Sequence, residues 1–246
     1  MALVTMPSRV QSSTTLIRPA NTTVYSAKSA VGINLAVSGA TNPASPSPIV
    51  ITTPAHGLVD GDPVTIASVG GNTNANGNFY VKVTGFSTTT FALYSDKALT
   101  QPVIGNATYT SGGTVAKVLR FQKVVRTKSG GGGVIGATLL TDQTSNTENF
   151  RLHLYSTPPT AILDGGACSC PLIADAAIYL GSFDFGAAKT EGSSTSAYAN
   201  AALTNNRVNF QTSSIERDIY GVLETPAGFT PASGQKFVIN LVTEQD

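Results

Sequence analysis

Tryptophan is absent from this sequence. Aromatic rings normally line the grooves that hold sugars, so the absence counts against a glycosidase cleft and a lectin site alike. Charge is scarce as well. Charged residues make up 12% of the chain, about half the average for globular proteins. The formal net charge of +1 leaves no basic footprint for phosphate backbones, so no nucleic-acid partner is expected. Anionic membrane surfaces are excluded on the same ground. No apolar run approaches the roughly 20 residues a membrane helix needs. The opening MALVTMPSRVQSS lacks the basic-then-apolar order of a signal peptide, so cytoplasmic synthesis and no membrane partner are expected. Cysteine is limited to Cys168 and Cys170. A one-residue gap strains a mutual disulfide, so two reduced thiols are expected. A structural zinc site would need four ligands, and His56 and His153 are the only histidines, so no metal is expected.

What the chain does contain is Thr, Ser, Asn and Gly in quantity, with 41% apolar residues. Thr favours strands, while Gly and Asn make turns. Disorder does not fit so apolar a chain with so little net charge. Apolar residues alternate at period two, and helical periodicity is nearly absent. The pattern predicts strands over Ile49–Thr52, Pro63–Ala67, Asn78–Thr84, Thr90–Tyr94, Thr114–Val125 and Val134–Thr141. It predicts others over Asn149–Tyr155, Ile178–Phe185, Arg207–Gln211, Asp218–Glu224 and Lys236–Val242. Thr14–Ile17 and Val31–Val37 are also strand-like. Turn signals separate them: Asp60-Gly61, Gly70-Gly71-Asn72, Asn76-Gly77, Gly112-Gly113, Asp164-Gly165-Gly166 and Ser233-Gly234. One short helix is predicted near Leu172–Ala177, after Pro171. Many short strands indicate sandwiches or barrels.

Composition shifts at Ser38–Pro48, a Pro/Ser/Ala linker, and again after Lys117. Residues 1–38 are too few to fold alone. The expected organisation is therefore an all-β chain in which residues 1–38 and 118–246 form a jelly-roll-like β-sandwich. Residues 39–117 form an inserted small β-barrel-like module.

Within that module stand His56-Gly57-Leu58, Gly61-Asp62-Pro63-Val64-Thr65-Ile66, Asn76-Gly77-Asn78-Phe79-Tyr80-Val81 and Phe91-Ala92-Leu93. This series resembles a small β module found repeatedly in phage tail, baseplate and head proteins. The module has been likened in shape to a half-domain of ubiquitin-activating enzymes. No cysteine lies in this segment, so thioester chemistry is excluded. The remainder is similar to head-associated phage proteins of β-sandwich type. It carries that likeness in Leu16-Ile17-Arg18-Pro19-Ala20-Asn21-Thr22-Thr23-Val24-Tyr25, Gly132-Gly133-Val134-Ile135, Phe150-Arg151-Leu152-His153-Leu154-Tyr155 and Tyr220-Gly221-Val222-Leu223-Glu224. In those relatives the first stretch leads quickly to the Gly-rich one. Here about a hundred residues intervene, as an insertion would require.

No catalytic, cofactor-binding or metal site is expected from the residues of the sequence. His56, with Asp60 and Asp62 nearby, is read as a loop residue bonded to backbone, because acid–base work needs an oriented partner and a nucleophile. His153 alternates with Leu152 and Leu154, which places it opposite the apolar face, toward solvent or an interface. The carboxylates Asp142, Glu148, Asp164, Asp175, Asp184, Glu191, Glu216, Asp218 and Glu224 offer no recognisable glycosidase pair. There is no Gly-x-Ser-x-Gly elbow. Gly130 to Gly133 lacks the following Gly-Lys-Ser/Thr of a P-loop and reads as a flexible hairpin tip. Asn72–Asn78 lacks the carboxylates of a calcium loop and reads as a turn.

The expectation is a non-enzymatic virion protein of a tailed bacteriophage, made in the host cytoplasm and carried on the capsid surface. Its expected role is capsid decoration, binding the major capsid protein and itself assembling as a homo-oligomer, with a trimer favoured by closed symmetry. Ala2–Ser13 reads as an extended arm. A tail, neck or baseplate structural protein, or a receptor- or glycan-binding adhesin, are the alternatives.

Overall fold

The structure, a computed structural model, describes residues 8–144, 148–190, 196–200, 207–212 and 216–245. The first half contributes β1 (Arg9–Ile17), β2 (Ser29–Val31), β3 (Leu35–Ala36), β4 (Gly39–Ala40), β5 (Val50–Thr52), β6 (Pro63–Ala67), β7 (Gly77–Lys82), β8 (Thr90–Tyr94), β9 (Thr114–Lys117) and β10 (Leu119–Phe121). The second contributes β11 (Gly131–Thr141), β12 (Phe150–Tyr155), β13 (Tyr179–Phe185), β14 (Lys189–Thr190), β15 (Ala197–Asn200), β16 (Val208–Gln211), β17 (Ile219–Thr225) and β18 (Lys236–Gln245). No α-helix occurs among the described residues. The fold is all-β, as the period-two pattern requires.

Two antiparallel sheets make a sandwich. One runs β1-β18-β11-β15-β14, with β16 also paired to β11. The other runs β10-β17-β12-β13, with β2 also paired to β17. Their inner faces share one core. Leu16, Leu139, Phe237, Ile239 and Leu241 from the first meet Phe150, Leu152, Leu154, Phe183 and Leu223 from the second. The Phe150 and Phe237 rings meet edge to face at 5.3 Å between the sheets. A bulge in β11 between Val134 and Gly136 keeps this face continuous. Val134 is buried before it and Ala137, Leu139 and Thr141 after it. One extra residue switches the alternation, so apolar side chains stay inward on both sides.

The third sheet takes β3 to β9 in the order β3-β9-β6-β7-β8-β5-β4 and curls into a half-barrel. Ile49, Ile51, Val64, Ile66, Val81, Phe91, Leu93 and Val115 are its buried apolar residues. The stretch Thr114–Val125, expected as one strand, divides here. Val118 donates its N–H to Pro63 O at 3.1 Å; β9 before it stays in the half-barrel and β10 after it enters the sandwich.

That joint is closed by charge. Lys97 Nζ lies 2.7 Å from Asp218 Oδ2 and 3.2 Å from Glu216 Oε2. Arg120 Nε lies 2.7 Å from Asp218 Oδ2, and an Arg120 Nη donates to Asp60 O at 2.9 Å. The Tyr220 hydroxyl donates to Glu216 Oε2 at 2.7 Å and accepts from Lys97 at 3.0 Å. Two cations thus balance two carboxylates where the half-barrel meets the sandwich. Burial alone would raise the Asp218 pKa; hydrogen bonds from Lys97, the Lys123 amide and Arg120 outweigh it and hold the carboxyl below its ordinary value.

Four further expectations about the fold are corrected. The predicted helix at Leu172–Ala177 is a single 3₁₀ turn, Ile173–Asp175. Gly131 to Gly133 are not a hairpin tip but strand residues, all three paired with β16 and Gly132 and Gly133 also with β18. A Cβ on Gly132 would collide with Glu244 O, and one on Gly133 with the Arg207 side chain. Close strand approach, not flexibility, accounts for the glycines. The arm expected at Ala2–Ser13 is strand from Arg9 onward, in register with β18 from Arg9↔Glu244 to Ile17↔Lys236; residues 1–7 lie outside the described residues. The linker Ser38–Pro48 contains strand β4.

Candidate functional site

Strand β12 places Phe150, Leu152 and Leu154 in the sandwich core. His153 and Tyr155 therefore project from the opposite face. That face is not open to solvent. Strand β17, beside β12, is buried along its whole length; its Tyr220 and Val222 pack in one cluster with Ala116 and Val118 at the joint and with Ala161 and Cys168, from a segment between Ser156 and Ile178 that folds back over this face. His153 is buried, which corrects the expectation of a solvent-side or interface histidine.

The cover is held at several points. Ala30 N donates to Gly166 O at 2.8 Å, Gly165 N to Ala30 O at 2.9 Å, and Cys168 N to Lys28 O at 2.7 Å. Beneath them Arg18 Nη2 pairs with Asp164 Oδ2 at 2.8 Å. The Tyr25 hydroxyl accepts from Arg18 Nε and donates to Asp164 Oδ1. Gly32 N also donates to that oxygen, at 3.1 Å. Burial, with the Asp164 charge beside it, pushes the Tyr25 pKa far up, so the hydroxyl remains a donor.

Under the cover sits a compact polar group. His153 Nε2 lies 2.7 Å from Glu224 Oε2, and Nδ1 lies 3.2 Å from the Tyr179 hydroxyl. Glu224 is the diagonal neighbour of His153, since His153 pairs with Val222 in register. Burial lowers the His153 pKa, and the Glu224 carboxylate only partly offsets this. Cys168 and Cys170 are joined as a disulfide, where two free thiols were expected. The Cα atoms stand 5.1 Å apart, within the span a disulfide bridges. A ring nitrogen of His153 and the sulfurs of Cys168 and Cys170 all lie within 4.8 Å of one another. His153 and Cys168 are buried and Cys170 is half-buried; an imidazole and, once reduced, two thiolates are borderline and soft metal ligands.

The other candidates go to local structure. His56 Nδ1 accepts the Leu58 N–H at 3.0 Å, so Nε2 carries the proton and faces Thr90 O at 3.3 Å. Asp60 accepts the amides of Val83 and Thr84 and the Thr84 hydroxyl; Asp62 pairs with Lys117 at 2.8 Å. Asp142 accepts the Lys236 amide at 3.0 Å. Asp184 pairs with Arg151 at 2.5 Å. The Asn72–Asn78 stretch is a 3₁₀ turn, Thr73–Ala75, running into β7. Asp175 sits in the cover's own 3₁₀ turn. Glu191 lies outside the described residues. Sequence reasoning missed the His153–Glu224 pair and the approach of the cysteines to it. The alternation of β17, with Tyr220, Val222 and Glu224 on one face, marked Glu224 as facing the same side as His153; nothing marked the cover.

No protein-family model matches the chain, and no curated protein matches it significantly.

Proposed function

We propose that this chain is a structural protein of a tailed-bacteriophage virion, acting as a capsid decoration protein. It would sit on the capsid surface as a homo-oligomer and bind neighbouring major capsid subunits. Such a protein stabilises the assembled state by mass action and needs rigid surfaces rather than a reacting group. The observation that carries the reading is the joint of Lys97 and Arg120 with Glu216 and Asp218. It fixes the half-barrel to the sandwich, so load on one is transmitted to the other. The motif residues that resemble phage modules support it too. Val64, Ile66, Val81, Phe91 and Leu93 are the core of the half-barrel, and Arg18 and Tyr25 anchor the cover. The test is the copy number in purified virions, by quantitative mass spectrometry. A number comparable with that of the major capsid protein supports decoration. A number matching tail or neck components moves the protein there, and absence from virions refutes the reading.

A further inference from the structure

The covered face holds a group that a purely mechanical part does not require. His153 and Cys168 are buried, Cys170 is half-buried, and their ligand atoms converge within 4.8 Å. We propose that these three residues form a thiol-gated zinc site: a dithiol reductant opens the Cys168–Cys170 bond, and the freed sulfurs with His153 then hold one Zn²⁺.

The chemistry balances. The dithiol gives two electrons and two protons to the protein disulfide and itself closes to a disulfide, leaving Cys168 and Cys170 as thiols. Zinc then replaces the two thiol protons, which leave to solvent, and binds both thiolates. Two sulfurs at the ~2.3 Å bond length of zinc stand ~3.8 Å apart in a tetrahedron. Cα atoms 5.1 Å apart allow side-chain rotation to move the sulfurs between bonded and ligating spacings. The half-buried Cys170 gives the reductant its point of attack.

His153 already has the carboxylate partner that metal-binding histidines have on the ring nitrogen away from the ion. Its Nε2 is bonded to Glu224 at 2.7 Å, so the ion is assigned to Nδ1, which now faces the Tyr179 hydroxyl. A carboxylate on the far ring nitrogen fixes the tautomer and strengthens the ligand. The Tyr179 hydroxyl lies 3.2 Å from Nδ1, close to the ~3.3 Å between two corners of a tetrahedron with bonds of ~2.0–2.1 Å. That oxygen, or a water, completes the four. The soft sulfur pair selects zinc over magnesium or calcium.

Full-length protein kept in a non-thiol reductant, and the same protein oxidised, are titrated with Co²⁺ and then Zn²⁺. Reduced protein is expected to bind one equivalent of Co²⁺, with a thiolate-to-cobalt charge-transfer band and strong tetrahedral visible absorption, both erased by Zn²⁺. Oxidised protein is expected to show neither. Glu224→Gln is expected to weaken binding roughly 10–100-fold while the band persists. Cys168→Ser/Cys170→Ser removes the band. His153→Gln alters its position. Zinc should also raise the melting temperature of the reduced protein only, which needs no variant to fold. The proposal is overturned if reduced wild type gives no thiolate band. It also fails if oxidised protein binds equally, or if a dithiol cannot open the bond in the native chain.

Discussion

Replacing Arg18 with Met should destabilise the chain more than any surface change could. The Arg18 side chain is 0% exposed and that of Asp164 6%, so the pair lies beyond the screening that makes surface ion pairs weak. Methionine keeps much of the stem but leaves the Asp164 carboxylate buried with only the Tyr25 hydroxyl and the Gly32 amide. Removing one partner of a buried pair costs about 3–5 kcal/mol. For a chain of this length that is a drop of roughly 6–20 °C in melting temperature, at ~2–4 °C per kcal/mol. The double change Arg18→Met/Asp164→Asn removes the orphaned charge while keeping an acceptor for Tyr25. It should therefore be more stable than Arg18→Met alone. Circular-dichroism melts and urea midpoints of the three proteins read this directly. Limited proteolysis adds location: cleavage of Arg18→Met should appear first between Ser156 and Ile178, the segment Asp164 anchors. A melting temperature within about 2 °C of wild type, or a double variant less stable than the single one, would refute the reasoning.

Acid should loosen the joint between half-barrel and sandwich. The Asp218 pKa is depressed in the folded chain, so its contribution is complete above the unfolded carboxyl value and is lost as pH falls through the folded one. Asp218→Asn should flatten the acid limb of the stability–pH curve measured by urea unfolding. Gly221→Ala should cost about 1–3 kcal/mol by overpacking, because a Cβ there would lie 3.0 Å from Leu152 Cδ1 and 3.1 Å from Phe121 Cε2; a calorimetric melt checks it. Phe150→Ala, at the ring contacts with Phe229 and Phe237, should cost about 3–5 kcal/mol, read as a lowered urea midpoint with unchanged slope.

The sequence made strands legible wherever alternation and turn residues agreed. Pro63–Ala67 and Thr90–Tyr94 have the expected ends, the first of them bounded by the turn signals Asp60-Gly61 and Gly70-Gly71-Asn72. It failed where a second layer decides. Alternation tells which residues share a face with His153, but not whether that face is covered. The cover itself has no periodicity to announce it. Arg18 and Asp164 are 146 positions apart, and no local pattern couples them. Gly131 to Gly133 read as loop because glycine is depleted from strands; the close approach of Glu244 to Gly132 and of Arg207 to Gly133 accounts for glycine inside β11. The cysteine bond is not legible because a one-residue spacing implies strain, whereas the local backbone holds the two Cα atoms 5.1 Å apart, within the ordinary span of a disulfide.

The pairing of β1 with β18 has a consequence for synthesis. Arg9 aligns with Glu244, so one edge of the sandwich cannot zip until nearly the whole described chain has emerged from the ribosome. The half-barrel, by contrast, draws all its strands from Leu35–Lys117 and can close while translation continues. Pulsed amide exchange during refolding should find it protected first, with β1 among the last amides to be shielded.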